Sequence, residues 1–228
     1  MIIYFVRHGH PDYAKDCLTP LGKAQAEAAA EKLCTYGISR IYSSTNGRAY
    51  ETAAYTARRM GLDIVPCDFM REISWESKDG SHITMGGNPW NLAEHFASEG
   101  IPFSNKNWRE CDPWSKSVAP EKVDAVISGF DALMAQLGYQ REGEFYRVTS
   151  ANTDTVIAIF SHGGSSSSVF SHLFNIPFPQ VCGFFSINYT SITCVRLPNG
   201  EGKLALPKLV YSNDARHIEG LEIENKFE

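Results

Sequence analysis

Hydrophobic positions along the chain fall into short apolar runs that alternate with longer stretches of helical spacing. Residues 2–6 form a β-branched and aromatic run closed by a charged loop, which reads as a buried strand. Thr19 and Pro20 then supply an N-cap and a first-turn proline. Residues 24–33 are rich in strong helix formers, and Gly37 marks the stop. Residues 40–44 read as a second strand, 48–60 as a helix closed by Gly61, and 63–67 as a third strand. From Asp68 the regular pattern lapses, and only 88–98, followed by Gly100, reads as a helix before residue 120. A long helix follows over 120–137, with Gly138 at its end. Residues 155–160 are the clearest core strand and 164–174 the helix that it feeds, while 191–197 and 206–211 read as closing strands around the turn Pro198-Asn199-Gly200. Strand, helix, strand in repetition predicts a three-layer α/β sandwich, a mostly parallel sheet flanked by helices.

Composition narrows the class. A chain of 228 residues buries roughly 70–75% of the surface that its unfolded form exposes, so one domain over 1–228 needs no staples. The irregular stretch at about 74–119 is then an insertion, expected to form a lid or specificity region. No apolar run is long enough to span a bilayer, and no signal-like segment opens the chain, so a cytoplasmic protein with no membrane partner is expected. The six cysteines form no CxxC pair, which suits reduced thiols better than a disulfide framework or a zinc site. With a net charge of -5 and no basic run, no nucleic-acid footprint is visible.

The unusual residues sit where strands end. Arg7-His8-Gly9 follows the first strand, Ser161-His162-Gly163-Gly164 follows the strand at 155–160, and Ser43 to Arg48 leaves the second strand to enter a helix. Ligands of open α/β sheets bind beyond the carboxyl ends of the strands, so both histidines and both arginines are expected at one crevice. Guanidinium forks bind phosphoryl oxygens and neutralise the charge that spreads over them in transfer, and a neutral imidazole can attack phosphorus. An arginine in a helix's first turn opposes the helix dipole, an independent hint that Arg48 faces an anion. The glycines would let backbone approach closely, and the helix start after His162 would offer N–H groups to an anion.

FVRHGH, LTPLGKAQA, YSSTNGRAYETA and FSHGG, in this order, resemble the histidine phosphatase superfamily, also called phosphoglycerate mutase-like. The resemblance implies a metal-independent phosphatase that hydrolyses a small phosphomonoester through a phosphohistidine, with no cofactor. It makes His8 the nucleophile and His162 the second histidine that stabilises the transferring group. Arg7 and Arg48 become phosphate-binding residues, joined by Gly163, and Glu72 becomes the carboxyl that protonates the leaving oxygen and then activates water. His217 resembles a late family element that packs near the site.

Departures from the family leave alternatives open. Ala14 stands where the family's mutases carry an asparagine, which disfavours but does not remove mutase chemistry. Glu76 replaces a common glycine and competes with Glu72 for the acid role, and His10 stands where Glu or Gln is frequent. A non-catalytic phosphate-binding module is a further reading. His8-Gly9-His10-Pro11-Asp12 also mimics the HxHxD of some zinc hydrolases, although a guanidinium at Arg7 would repel a dication. All four tryptophans (Trp75, Trp90, Trp108 and Trp114) fall in the insertion, where they read as a mini-core, as a cover over the phosphate site, or as the interface of a homodimer.

Overall fold

The structure is a computed structural model, which describes residues 1–81, 89–101, 107–151 and 153–221. Strand β1 (Ile2–Arg7) runs into a loop whose Pro11–Asp12 (β2) and Cys17–Leu18 (β3) pair as a short ribbon. Helix α1 (Pro20–Leu33) starts at Thr19, whose hydroxyl accepts the Gly22 N–H at 3.1 Å. Then come β4 (Arg40–Ser44), α2 (Gly47–Met60) ended by a left-handed Gly61, and β5 (Ile64–Cys67). Helix α3 (Pro89–Ser98) is the one expected from Asn88, a residue that itself lies outside the described ones. Helix α4 (Ala119–Gln136) leads into the hairpin β6 (Tyr139–Glu142) and β7 (Phe145–Val148). Strand β8 (Val156–Ser161), helices α5 (Gly163–Phe174) and α6 (Phe178–Phe184), and strands β9 (Ile192–Arg196), β10 (Leu204–Ala205) and β11 (Lys208–Asp214) complete the described chain. Among the described residues no helix is long and apolar enough to cross a membrane.

Six strands form the central sheet in the order β11-β9-β1-β8-β4-β5. Pairs β1–β8, β8–β4 and β4–β5 are parallel, whereas β9 joins β1 and β11 antiparallel. Alternation along the strands divides the core in two, as a sheet covered on both faces requires. Tyr4, Val6, Ala158 and Phe160 point to the face covered by α1 and α2, whose small Ala29, Ala53 and Ala57 permit close packing. Ile3, Phe5, Ile157 and Ile159 point to the other face, against α4, α5 and α6.

Two features depart from the sequence reading. The strand expected at 206–211 is shifted: it starts at Lys208 and runs to Asp214 against β9, and an unexpected short strand, Leu204–Ala205, precedes it and pairs with β7. Pro207, without an N–H to offer a ladder, lies between the two. The β6–β7 hairpin and α6 were not anticipated, because four-residue strands turning on a left-handed Gly143 and a seven-residue helix are too short to show a period.

The tryptophans gather on α6. Trp108 and Trp114 are buried and lie 5.4 and 5.8 Å from the Phe178 ring, and Trp75 stacks on it at 5.9 Å. Trp90 meets Trp75 edge-on, also at 5.9 Å. The mini-core is therefore real, with Phe178, itself fully buried, at its centre. Phe178→Ala is expected to cost about 3–5 kcal/mol, the range for emptying a buried aromatic site, as read by denaturant unfolding followed through tryptophan fluorescence.

Candidate active site

Strand register brings the two sequence-distant histidines together. Arg7 is paired with Ser161 across β1 and β8, and the His8 N–H donates to the Ser161 carbonyl at 3.0 Å. Each histidine is thus the first residue past its strand, and the two rings lie 5.0 Å apart. Strand β4, on the far side of β8, contributes Ser44, whose hydroxyl meets His162 Nε2 at 2.8 Å.

His8 is buried, and its tautomer follows from its partners. Nδ1 lies 2.7 Å from the Gly9 carbonyl, which can only accept, so Nδ1 carries the hydrogen and Nε2 keeps its lone pair. Arg48 Nε donates to that Nε2 at 3.3 Å. Burial, the neighbouring His162 and the Arg7 guanidinium hold the His8 imidazole neutral, well below the usual histidine range. His162 is depressed likewise, first by burial and then by Arg48, Arg7 and Arg71.

Arg7 donates from Nη1 to the Ile187 carbonyl at 2.5 Å and lies 4.3 Å over the Tyr189 ring. That ring also contacts His8 at 5.6 Å and His10 at 5.4 Å. Arg48 does face an anion, as its place against the helix dipole suggested: Asp16 Oδ1 lies 2.5 Å from Nη1. Asp16 Oδ2 accepts the Gly47 N–H at 2.7 Å, and its backbone takes a left-handed φ of 48°. A Cβ at Gly47 would lie 2.2 Å from the Asp16 carbonyl oxygen, so only glycine admits this approach. Burial opposes ionisation of Asp16, but the Gly47 N–H and Arg48 outweigh it and hold the carboxyl below its ordinary range.

Glu72 is the carboxylate in the crevice. Its Oε1 accepts the N–H groups of Gly164 at 3.1 Å and Ser165 at 3.2 Å, so the helix start after His162 is already occupied by an anion of the chain itself. Asn46 Oδ1 holds the Glu72 backbone N–H at 3.1 Å. Burial raises the Glu72 carboxyl above its ordinary range, against the pull of the Ile73 and Gly164 N–H groups and of Arg7 and Arg48. A Cβ at Gly164 would lie 2.4 Å from the Trp75 ring and 2.6 Å from Glu72 Oε1, so Trp75 borders the carboxylate. Glu76 is exposed and lends its backbone carbonyl to Ser117 and Val118. Gly163 opens α5 with the Trp90 ring against it.

The remaining candidates serve as supports. His10 Nδ1 pairs with Thr19 Oγ1 at 2.9 Å, and Asp12 pairs with Lys15, so His8, His10 and Asp12 do not converge on one point. His217 Nε2 meets Thr190 Oγ1 at 3.1 Å, and the Thr190 N–H is shared by the carbonyls of Arg7 and His8. Sequence reasoning missed Asp16, Ser44, Asn46, Tyr189 and Thr190. For Asp16 the signal was indirect at most: Arg48 at a helix start calls for a counter-charge, but nothing in the sequence says which carboxylate supplies it.

The family described as "Histidine phosphatase superfamily (branch 1)" matches residues 3–209. The chain belongs to this superfamily. Among superfamily relatives, the glucosyl-3-phosphoglycerate phosphatase of Mycobacterium tuberculosis is 26% identical over 203 residues, 84% of each chain. A solved mycobacterial glucosyl-3-phosphoglycerate phosphatase superposes with a TM-score of 0.63 at 23% identity, covering 93% of this chain and 98% of that one. A phosphoserine phosphatase of Entamoeba histolytica, solved with phosphoserine, gives 0.59 at 21% identity, covering 95% and 98%. A Hydrogenobacter thermophilus protein provisionally named a phosphoserine phosphatase is 31% identical over 101 residues, 40% of this chain; the match spans less than half, 47%, of that relative. At these identities the structural likeness establishes the fold.

His217 yields a test of the support beneath His8. Burial lowers it to about 4, so the unfolded chain binds its proton first as pH falls from the ordinary 6.5. Its contribution to stability is therefore whole above pH 6.5 and lost on descent toward 4. His217→Gln is expected to shrink the stability difference between pH 7 and pH 5 by about 1–2 kcal/mol in urea titrations.

Proposed function

We propose that the protein is a metal-independent phosphatase that hydrolyses a small phosphomonoester through a phosphohistidine at His8. The observation that carries this reading is the neutral His8 with its hydrogen fixed on Nδ1 by the Gly9 carbonyl, which leaves the lone pair on Nε2, held only by a 3.3 Å contact from Arg48 Nε that an incoming phosphoryl group would replace. In the first step the Nε2 lone pair forms a bond to phosphorus, the bond to the leaving oxygen breaks, and protonated Glu72 gives that oxygen its proton. In the second, the Glu72 carboxylate takes a proton from water, the water oxygen attacks phosphorus, and the N–P bond breaks to release phosphate. Arg7, Arg48 and His162 bind the non-bridging oxygens, and Gly163 admits the phosphoryl group at the start of α5. Asp16 holds the Arg48 fork in place, and the raised Glu72 carboxyl lets one group serve as acid and then base near neutrality. Relatives named for glucosyl-3-phosphoglycerate and phosphoserine support a small substrate. Trp75 and Trp90, which abut Gly164 and Gly163, support assigning specificity to the 74–119 segment.

Quenching during turnover is expected to trap acid-labile, base-stable phosphate on His8, and His8→Ala to lose at least about a thousandfold in kcat. Glu72→Gln is expected to lose about 10²–10⁴-fold on alkyl phosphates, whose alkoxide needs a proton, and much less on p-nitrophenyl phosphate. A His8→Ala variant that keeps the wild-type rate contradicts the reading. Transfer of the phosphoryl group to an added alcohol acceptor in preference to water would make the protein a mutase.

A further inference from the structure

The Gly9 carbonyl decides where His8 carries its hydrogen, and the same question at the second histidine leads to Ser44. Ser44 Oγ lies 2.8 Å from His162 Nε2, and both residues are fully buried. A hydroxyl can give to a neutral imidazole nitrogen or take from it, so the neighbours determine the direction. The Asn46 N–H already donates to Ser44 Oγ at 3.2 Å. Among the described residues, no other hydrogen bond of the Ser44 side chain is formed, so His162 Nε2 is the one acceptor that its hydrogen meets.

The other ring nitrogen is left empty. His162 is the N-cap of α5, yet its side chain makes no capping hydrogen bond, because the Ser165 N–H is given to Glu72 Oε1 at 3.2 Å. Nδ1 is buried and has no hydrogen-bond partner among the described residues. If Nε2 accepts from Ser44, the neutral ring carries its hydrogen on Nδ1, a donor that the chain itself does not use. A phosphoryl oxygen, which can only accept, would satisfy it, and the His8 ring 5.0 Å away would carry that group. The opposite tautomer leaves the Ser44 hydrogen and the Nδ1 lone pair both unpaired, and a bare lone pair repels a phosphoryl oxygen.

We infer that Ser44 is a positioning residue for His162: its hydroxyl donates to Nε2 and so fixes the ring's hydrogen on Nδ1, as the donor to the phosphoryl group. The catalytic consequence rests on the phosphatase reading above, whereas the tautomer stands apart from it.

The experiment combines nitrogen-15 NMR of the histidine side chains with kinetics, on wild type, Ser44→Ala and Ser44→Thr. Wild-type His162 is expected to show Nδ1–H and a bare Nε2. Ser44→Ala should move hydrogen onto Nε2, and Ser44→Thr, which keeps a hydroxyl, should restore the wild-type pattern. In Ser44→Ala kcat is expected to fall about tenfold, the size of one lost hydrogen bond to the transferring group, with KM changed by less than about twofold. The loss should be equal on p-nitrophenyl phosphate and glycerol 3-phosphate, since both present the same phosphoryl oxygens. That equality separates the inference from damage through Asn46, which also holds the Glu72 N–H and whose disturbance would fall on the alkyl ester alone. Hydrogen resident on His162 Nε2 in wild type, a tautomer unmoved by Ser44→Ala, or a loss confined to glycerol 3-phosphate overturns the inference, while turnover of p-nitrophenyl phosphate keeps the phosphatase reading intact. The wild-type and Ser44→Thr spectra decide the tautomer even if Ser44→Ala does not fold. Absence of turnover on every phosphomonoester overturns the phosphatase reading and the catalytic role of Ser44 with it.

Discussion

Two imidazoles and two guanidiniums share one crevice, with Asp16 and Glu72 as its carboxylates, and this crowding of like charge is the constraint on which the rest of the structure depends. Cations packed so closely are tolerated only when each is individually compensated. Arg48 is compensated by Asp16 and Arg7 by the Ile187 carbonyl and the Tyr189 face. The histidines meet the constraint by staying neutral. The guanidiniums that would draw a phosphoryl group to the crevice also add to burial, the larger cause, in keeping His8 Nε2 unprotonated, so the proposed binding and nucleophilicity draw in part on the same charges.

The fold supplies this arrangement through register more than through loops. Parallel pairing of β1 with β8 places residues 8 and 162 side by side, and β4 brings Ser44 to the second ring. Glu72 is joined to the same point from outside the sheet. Its backbone is held by Asn46, the N-cap of α2, and its carboxylate by the first turn of α5, while Trp75, three residues on, ties it to the Phe178 cluster. Glu72, the proposed acid, is consequently coupled to the tryptophan-rich segment, and the surroundings that raise its proton affinity are the ones proposed to meet the substrate.

Much of this was legible in the sequence where a period or a breaker stood behind it. Strand β4 spans the residues read for it, and helix α1 starts at Pro20 behind Thr19 as read, although it ends at Leu33 with Cys34 as its cap, ahead of the glycine read as its stop. The candidate residues His8, His162, Arg7 and Arg48 were legible through motifs at strand ends, and Glu72 through the family resemblance. Illegible were the features that exist only in three dimensions. Asp16 has no local pattern, since its role comes from a left-handed backbone lying against Gly47. Tyr189 and Thr190 sit in a loop whose meaning depends on β9 pairing with β1. The expectation of free N–H groups at the start of α5 needed revision for the same reason, because Glu72 reaches them from 92 residues away in sequence.

The central claim is that His8 is a neutral imidazole with its hydrogen on Nδ1 and its lone pair on Nε2. Nitrogen-15 NMR of the histidine side chains across a pH titration tests it most directly. The account predicts Nδ1–H and bare Nε2 for His8 at neutral pH, with neither His8 nor His162 titrating near 6.5. Protonation of His8 near 6.5, or a hydrogen resident on Nε2, would contradict it.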